Sequence, residues 1–211
     1  MRVVSVNVGL PRIHTWQGRF VRTGIFKDPV PGPVTVRRLN LDGDAQADLS
    51  VHGGPDKAVY AYPADHYADW QAILGRDLSP GAFGENLTTE GLIEEHVHIG
   101  DEFRVGTTRL VVTQPRMPCY KLGLKFGDVG MIKRFLRVGR PGIYFAVVEE
   151  GVVAPGDAVE QVGEGKNRVS VTEMLALMLD KEPDPVALRR LLEVPALAAD
   201  WRQGFEARLE R

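Results

Sequence analysis

The chain has 211 residues, of which 44% are hydrophobic and 26% are charged, a composition typical of one ordinary globular domain with or without a small appendage. No apolar run approaches the ~18 residues of a membrane span and no signal-peptide pattern opens the chain, so membrane, collagen-like and disordered classes are excluded and a cytoplasmic protein is expected. The net charge is −2, and the single cysteine excludes an internal disulfide and a zinc site built from several thiolates.

The charges follow one another in blocks along the chain. Residues 1–40 contain seven basic residues (Lys or Arg) and one acidic residue, whereas residues 41–103 contain two basic and thirteen acidic residues. Residues 104–140 contain nine basic residues and one acidic residue, and residues 141–211 contain eight basic and thirteen acidic residues. The two basic blocks could fold onto one cationic pocket or surface for an anionic partner such as phosphate or nucleic acid. A solvated charged surface is the alternative.

Alternation of apolar and polar residues with period two predicts strands at Val4–Val8, Val34–Leu41, Thr107–Thr113 and Ile143–Glu149. Turn sequences rich in Gly, Pro and Asp separate these segments. The expected fold class is therefore mainly β.

Two helices interrupt the predicted strands. The first would have Pro63 at its first helical position and end at Gly75, because Tyr67, Trp70 and Leu74 recur on one face. The second would begin with an Asp128 cap and end at Gly139. Both are expected to pack one face on a sheet.

The pattern changes to helices after residue 165. Ser170 begins a capping box, and Asp184 and Pro195 precede two further amphipathic runs. We therefore divide the chain into a body at 1–165 and a three-helix region at 166–211. A region this small must dock on the body or on another chain, such as a second copy in a homodimer or a redox partner.

Cys119 lies in the stretch Gln114–Leu122, where a predicted strand runs into a loop stiffened by two prolines. Such a loop holds the thiol at the end of a sheet. The cations Arg116 and Lys121 flank it, and nearby cations favour the reactive thiolate, which is also a soft ligand that transition metals prefer. A buried cysteine that only fills space is the alternative.

Two further stretches carry groups suited to ligand binding. In His52-Gly53-Gly54 the paired glycines could expose backbone N–H groups to a phosphate, with Lys57 adding charge, although a plain turn explains the same residues. Glu85-Asn86 could hydrogen-bond a heterocycle, or form an Asx-type turn.

His96 and His98 are spaced to share one face of a strand and could chelate a metal. No third ligand lies near them in sequence, and Val97 and Ile99 would occupy the opposite face as core residues do. We therefore favour two structural histidines over a metal site.

Five segments in this order resemble the MOSC domain, named for the C-terminal domain of molybdenum cofactor sulfurases, in its YiiM-like branch with a C-terminal three-helix region. The resemblance covers nearly the whole chain. The segments are Thr23–Lys27, Leu41–Asp48, Val51–Ala58 with Tyr62-Pro63, Phe83–Asn86 and Gln114–Leu122.

The resemblance implies a β-barrel-like body that binds the molybdenum cofactor, a metal-bearing pyranopterin (Mo-molybdopterin) with an anionic phosphate, rather than pyridoxal phosphate. Cys119 matches the family's cysteine, which implies a catalytic role as the protein ligand to molybdenum. The implied polar partners of phosphate and pterin are His52, Gly53, Gly54, Lys57, Glu85, Asn86, Gln114, Arg116 and Lys121.

The YiiM-like branch implies a detoxifying oxidoreductase that converts N-hydroxylated small molecules, such as hydroxylamines and nucleobase analogues, to amines. The chain has no flavin or nicotinamide fingerprint, so electrons should come from a separate reductase. A carrier that holds the cofactor or sulfur without turnover is the alternative. Nucleic-acid binding is least favoured, since no basic helix interleaved with aromatic residues is present.

Overall fold

The computed structural model of the chain describes residues 1–48 and 53–210. Within this part of the chain there are twelve strands: β1 (Arg2–Val8), β2 (Arg12–Trp16), β3 (Arg19–Thr23), β4 (Asp28–Val30), β5 (Val34–Val36), β6 (Val59–Pro63), β7 (Leu87–Glu90), β8 (Glu102–Val105), β9 (Thr108–Pro115), β10 (Ile143–Glu149), β11 (Gly151–Val153) and β12 (Val159–Gly163). The same residues form six α-helices: α1 (Tyr67–Leu74), α2 (Tyr120–Phe126), α3 (Met131–Val138), α4 (Val171–Leu179), α5 (Pro185–Leu192) and α6 (Ala199–Leu209).

Eight strands form one mixed sheet in the order β12-β8-β9-β10-β6-β7-β1-β4. Neighbouring strands are antiparallel except for β6 and β7, which are parallel. Two short pairs, β5 with β11 and β2 with β3, stand outside this sheet. The mainly β body with a C-terminal helical region is therefore confirmed.

The barrel-like closure needs correction, because the described residues form an open sheet with edges at β12 and β4. The two ends do approach each other: the Val3 N–H donates to the carbonyl of Asp157 at 2.8 Å, and the Val159 N–H donates to that of Met1 at 3.0 Å. In β1, residues Val6–Val8 pair with β4. The segment that leads into β12 therefore reaches only the first residues of β1, where Ala158 bridges Arg2.

Three of the four predicted strands match β1, β9 and β10 closely. The fourth was expected to run from Val34 to Leu41, but β5 ends at Val36. The chain then reverses, since Arg37 N–H donates to the carbonyl of Asn40 at 2.7 Å and Val36 bridges Leu41. Alternation of residue types alone could not distinguish this tight reversal from a continuous strand.

Both predicted helices of the body are present, and each ends at its expected glycine in the left-handed conformation (φ 64° at Gly75 and 71° at Gly139). Both begin later than expected: α3 has Gly130 and not Asp128 at its cap position, and Asp128 accepts the N–H of Gly130 at 2.7 Å. Pro63 has an extended backbone (ψ 125°) and closes β6, so a 3-10 turn precedes Tyr67. No helix of the described residues is long and apolar enough to cross a membrane.

The three-helix region shares the core of the sheet. Met174, Leu188, Leu191 and Phe205 belong to the same buried cluster as Phe103 of β8. The predicted caps are present as well: the hydroxyl of the capping-box serine accepts the N–H three residues later at 3.0 Å, and the carboxylate before α5 accepts an N–H at 3.0 Å. Helices and sheet are thus packed into one core.

Because the core is shared, Phe205→Ala should destabilise the whole protein and not the tail alone. We expect a loss of about 3–5 kcal/mol in the free energy of unfolding, since Phe205 is fully buried. Urea unfolding followed by circular dichroism and by tryptophan fluorescence measures this. Val186→Ala is the control, because Val186 is 69% exposed. An unchanged body transition beside early melting of the tail would contradict a shared core.

Candidate functional site

Cys119 stands where the sheet passes into a helix. β9 ends at Pro115, a short linker with Pro118 follows, and α2 begins at Tyr120. Cys119 has an extended backbone at the start of α2, and its carbonyl accepts the N–H of Leu122 at 2.9 Å. Its thiol is partly exposed. The expectation of a held thiol at the end of a sheet is confirmed, whereas α2 itself was not predicted.

An open pocket with a cavity volume of about 100 Å³ lies beside Cys119. Five of the predicted residues share its wall: Lys57, Asn86, Arg116, Cys119 and Lys121. They come from three separate parts of the sequence, so the fold brings together what the motifs only suggested.

Two cations of the second basic block line this pocket without a carboxylate partner. Lys121 is only 8% exposed and makes no ion pair or hydrogen bond within the described part of the chain. Arg116 is buried, donates to the carbonyl of Phe83 at 2.6 Å and lies over the ring of Tyr60 at 5.0 Å. Buried cations without counter-charge are costly, so this wall is suited to an anionic ligand.

Lys27, from the first basic block, lines the same pocket, so the two basic blocks converge on one site. Its ammonium pairs with Asp44, whose carboxylate also accepts the N–H of Gly9 at 3.0 Å and the amide of Asn86 at 2.9 Å. Burial lowers the pKa of Lys27, and Asp44 opposes that shift. The Asn86 oxygen accepts the N–H of Tyr60 at 3.1 Å, so this side chain braces the wall.

Glu85 and Gln114 are not among the residues that line the pocket, so their contact with a ligand stays a prediction. Glu85 is fully buried and accepts the backbone N–H groups of Gly81 at 2.8 Å and Phe83 at 2.9 Å, so its carboxylate shapes the adjoining loop. Gln114 is buried in β9, and its Oε1 has no partner among the described residues. Its cross-strand neighbour Tyr144 does line the pocket.

Among the described residues 53–58 of the glycine turn, Lys57 alone lines the pocket. Gly54 has a φ of 98°, which favours glycine, and a 3-10 turn follows at Pro55–Lys57. Gly53 and Gly54 do not line the pocket, whereas Lys57 does. His52 lies outside the described residues.

His96 lies in a turn, whereas His98 forms an isolated antiparallel bridge with Ser170. His96 is exposed, and Nδ1 of His98 is 3.3 Å from the carboxylate of Asp101. Within residues 1–48 and 53–210, no three His, Cys, Asp or Glu side chains are grouped to hold a metal ion. The two histidines therefore do not share a strand face, whereas Val97 and Ile99 are buried as core residues as expected.

Tyr60 and Tyr144 are pocket residues that the sequence did not single out. Their rings are 5.0 Å apart, and burial raises the pKa of both hydroxyls, so both stay protonated. The feature that could have drawn attention to Tyr60 is its place in β6, in which every residue is buried. A buried tyrosine hydroxyl needs a hydrogen-bond partner. Tyr60 donates to the carbonyl of Pro141 at 2.8 Å.

Lys125 joins two loops that form the pocket wall. Its ammonium donates to the carbonyls of Ile25 at 2.9 Å and Gly81 at 2.7 Å. Burial lowers the pKa of Lys125 to about 8, against the attraction of Glu85. This lysine was not a predicted site residue, because only the tertiary fold places it between these loops.

Comparison with protein families identifies two parts of the chain. The model of the MOSC domain matches residues 48–160, and that of the YiiM-like 3-alpha helix domain matches residues 169–211. The chain belongs to the MOSC family. The helical match falls on the segment that contains α4, α5 and α6.

Relatives support this membership over the full length. YflK of Bacillus subtilis is 44% identical over 99% of this chain and 95% of its own length. The crystal structure of YiiM from Geobacillus stearothermophilus superposes with a TM-score of 0.84 at 36% identity, covering 99% of this chain and 98% of that one. A Gibberella moniliformis protein named reductase is 37% identical over 67% of this chain. The matched part makes up 26% of the length of that protein.

The MOSC family is associated with the molybdenum cofactor, and the pocket residues fit such a group. Cys119 offers a soft thiolate of the kind that molybdenum accepts as a ligand. The ammonium of Lys121 and the guanidinium of Arg116 have no carboxylate partner within the described residues, and a phosphate would supply an anion. Thiol and cations line one cavity, so a single ligand could engage them together.

The pKa of Lys125 predicts a pH-dependent stability. Between about 8 and its ordinary value of 10.5, the folded state has released a proton that the unfolded state still holds. The free energy of unfolding should therefore rise with pH in this window, relative to Lys125→Met, by about 2 kcal/mol at pH 9.5. Urea unfolding at pH 7 and 9.5 measures this, with exposed Lys133→Met as the control. If the difference in free energy of unfolding between wild type and Lys125→Met is the same at pH 7 and pH 9.5, the lowered pKa of Lys125 is contradicted.

Proposed function

We propose that this MOSC protein binds the molybdenum cofactor beside Cys119 and reduces N-hydroxylated compounds to amines. The observation that carries the proposal is the meeting of one partly exposed thiol and the buried, unpaired cation Lys121 in a single pocket. A thiol alone is common, and a buried lysine without an ion pair within the described residues is not.

Cys119 would provide the protein's ligand to the metal. Its backbone is fixed between the proline linker and α2, so the sulfur has a defined place on the pocket wall. When bound, the cofactor would supply two-electron redox chemistry that no amino-acid side chain provides. Met117, which also lines the pocket, adds an adaptable apolar surface beside the thiol.

The cations would hold the anionic end of the cofactor. Lys121 and Arg116 carry uncompensated charge, whereas Lys27 is already paired with Asp44. The first two should therefore gain most from a phosphate, through short charge-assisted hydrogen bonds. Tyr144 keeps its proton at neutral pH and can donate a hydrogen bond to a polar ligand without adding charge, whereas the Tyr60 hydroxyl already donates to the carbonyl of Pro141.

The proposed reaction converts R–NHOH to R–NH2 and water, which consumes two electrons and two protons. A separate reductase would deliver the electrons, because the chain carries no flavin or nicotinamide fingerprint. Solvent can deliver the protons, since the pocket is open to it. The relative named reductase supports oxidoreductase chemistry for this fold, although this chain matches only 26% of that protein.

The alternative is a carrier that holds the cofactor or sulfur without turnover. The same pocket and the same exposed thiol would serve it, and a persulfide on Cys119 would be its signature. The two functions differ in one measurable respect, which is turnover when electrons are supplied.

Removing the thiol should abolish both metal retention and turnover. Wild-type protein from a cofactor-competent host should contain about one molybdenum per chain and reduce 6-hydroxylaminopurine with reduced viologen as donor. Cys119→Ala should lose at least about 100-fold in rate, because the metal loses its protein ligand. Tyr120→Phe, at the exposed neighbouring position, is the control. Full activity in Cys119→Ala would sink the proposal, and persulfide without turnover in wild type would favour the carrier.

Removing the unpaired cation should weaken cofactor retention without unfolding the protein. In Lys121→Gln we expect about tenfold less pterin to survive gel filtration, because a charge-assisted hydrogen bond of about 1.5–3 kcal/mol is lost. The melting temperature of the cofactor-free protein should stay the same or rise, since a costly buried charge is removed. Lys133→Gln, from the same basic block but exposed, should retain the pterin. Equal retention in both variants would count against a phosphate at Lys121.

A further inference from the structure

The three-helix region contacts the turn that carries Lys57. α6 has no side-chain cap of its own, and the N–H of Ala199 donates to the carboxylate of Asp56 at 3.0 Å. The carbonyl of Asp56 accepts the hydroxyl of Thr113 in β9 at 2.6 Å. The turn is therefore held between the sheet and the first residue of α6.

The next residue along the turn contacts the same helix. Nζ of Lys57 is 3.3 Å from Oδ2 of Asp200. The Lys57 side chain is 17% exposed and also lines the pocket, whereas that of Asp200 is 83% exposed. One ammonium thus belongs to the pocket wall and to α6 at once.

We propose that Asp200 competes with the anionic ligand of the pocket for Lys57, which couples the three-helix region to ligand binding. The inference rests on the proposed function in taking the ligand to carry a phosphate. A solvent-exposed ion pair is weak, so the ammonium can leave Asp200 at small cost and gain a charge-assisted bond to phosphate.

The contact between Asp56 and Ala199 does not involve Lys57, so α6 stays attached when the ammonium changes partner. Coupling between two binding events is reciprocal. The free energy by which Asp200 weakens ligand binding therefore equals the free energy by which the ligand weakens the ion pair between Lys57 and Asp200. Asp200 would therefore be a positioning residue that acts on the ligand only through Lys57.

A double-mutant cycle with inorganic phosphate tests the competition. Full-length protein from a host unable to make the cofactor is titrated calorimetrically as wild type, Asp200→Asn, Lys57→Met and the double variant. Asp200→Asn should bind phosphate about two- to fivefold more tightly, because the exposed competitor is gone. In the Lys57→Met background the same change should have no effect. Glu206→Gln removes one charge from the same helix without touching Lys57 and should leave the affinity unchanged.

Hydrogen exchange supplies a readout that a purely structural role would not move. Phosphate should speed amide exchange in the first turn of α6 in wild type, and leave it unchanged in Lys57→Met. Unchanged or weaker phosphate binding in Asp200→Asn, or an equal gain in Glu206→Gln, would overturn the competition.

The outcomes also separate this inference from the proposed function. If Lys57→Met binds phosphate as tightly as wild type, the competition is overturned, while the proposal based on Cys119 and Lys121 stands. If no variant, wild type included, binds phosphate at all, then both are overturned, because the pocket is not an anion site.

Discussion

The carboxylate of Asp44 is the contact on which the pocket depends. It joins the ammonium of Lys27, the N–H of Gly9 and the amide of Asn86, which lie far apart in the sequence. Asn86 in turn accepts the N–H of Tyr60 at the start of β6. A buried carboxylate with this many partners is stable only when all are in place, so the loops around the cavity are fixed together.

Against this satisfied network, the remaining cations of the pocket stand out. Lys27 has its counter-ion within the protein, whereas Lys121 and Arg116 have none within the described residues. Lys121 and Arg116 line the same pocket as the thiol of Cys119. Uneven compensation of this kind is what a site for an anionic ligand requires, because a fully paired wall would have little to gain from binding.

The helical region is part of the same construction. Its apolar faces complete the core against the sheet, and the first residues of α6 hold the turn of Lys57. A body with this sheet alone would leave that core face open and the turn without its second support. The MOSC body and the YiiM-like helices therefore form one packed unit around one pocket.

The sequence by itself determined the mainly β class, the family, the three helices of the tail with the caps of α4 and α5, and the place of Cys119, because periodicity, caps and prolines act over a few residues. It misplaced the strand after Val36 and missed α2, since tight reversals depend on contacts elsewhere. Only the tertiary structure decided which polar residues line the pocket. Glu85 has a carboxylate that could bind a ligand, but it accepts backbone N–H groups of the adjoining loop. Tyr144 lines the pocket because its register in β10 places it there, opposite Gln114. Burial and pairing are set by the whole fold, so no local pattern can reveal which charges stay without a partner.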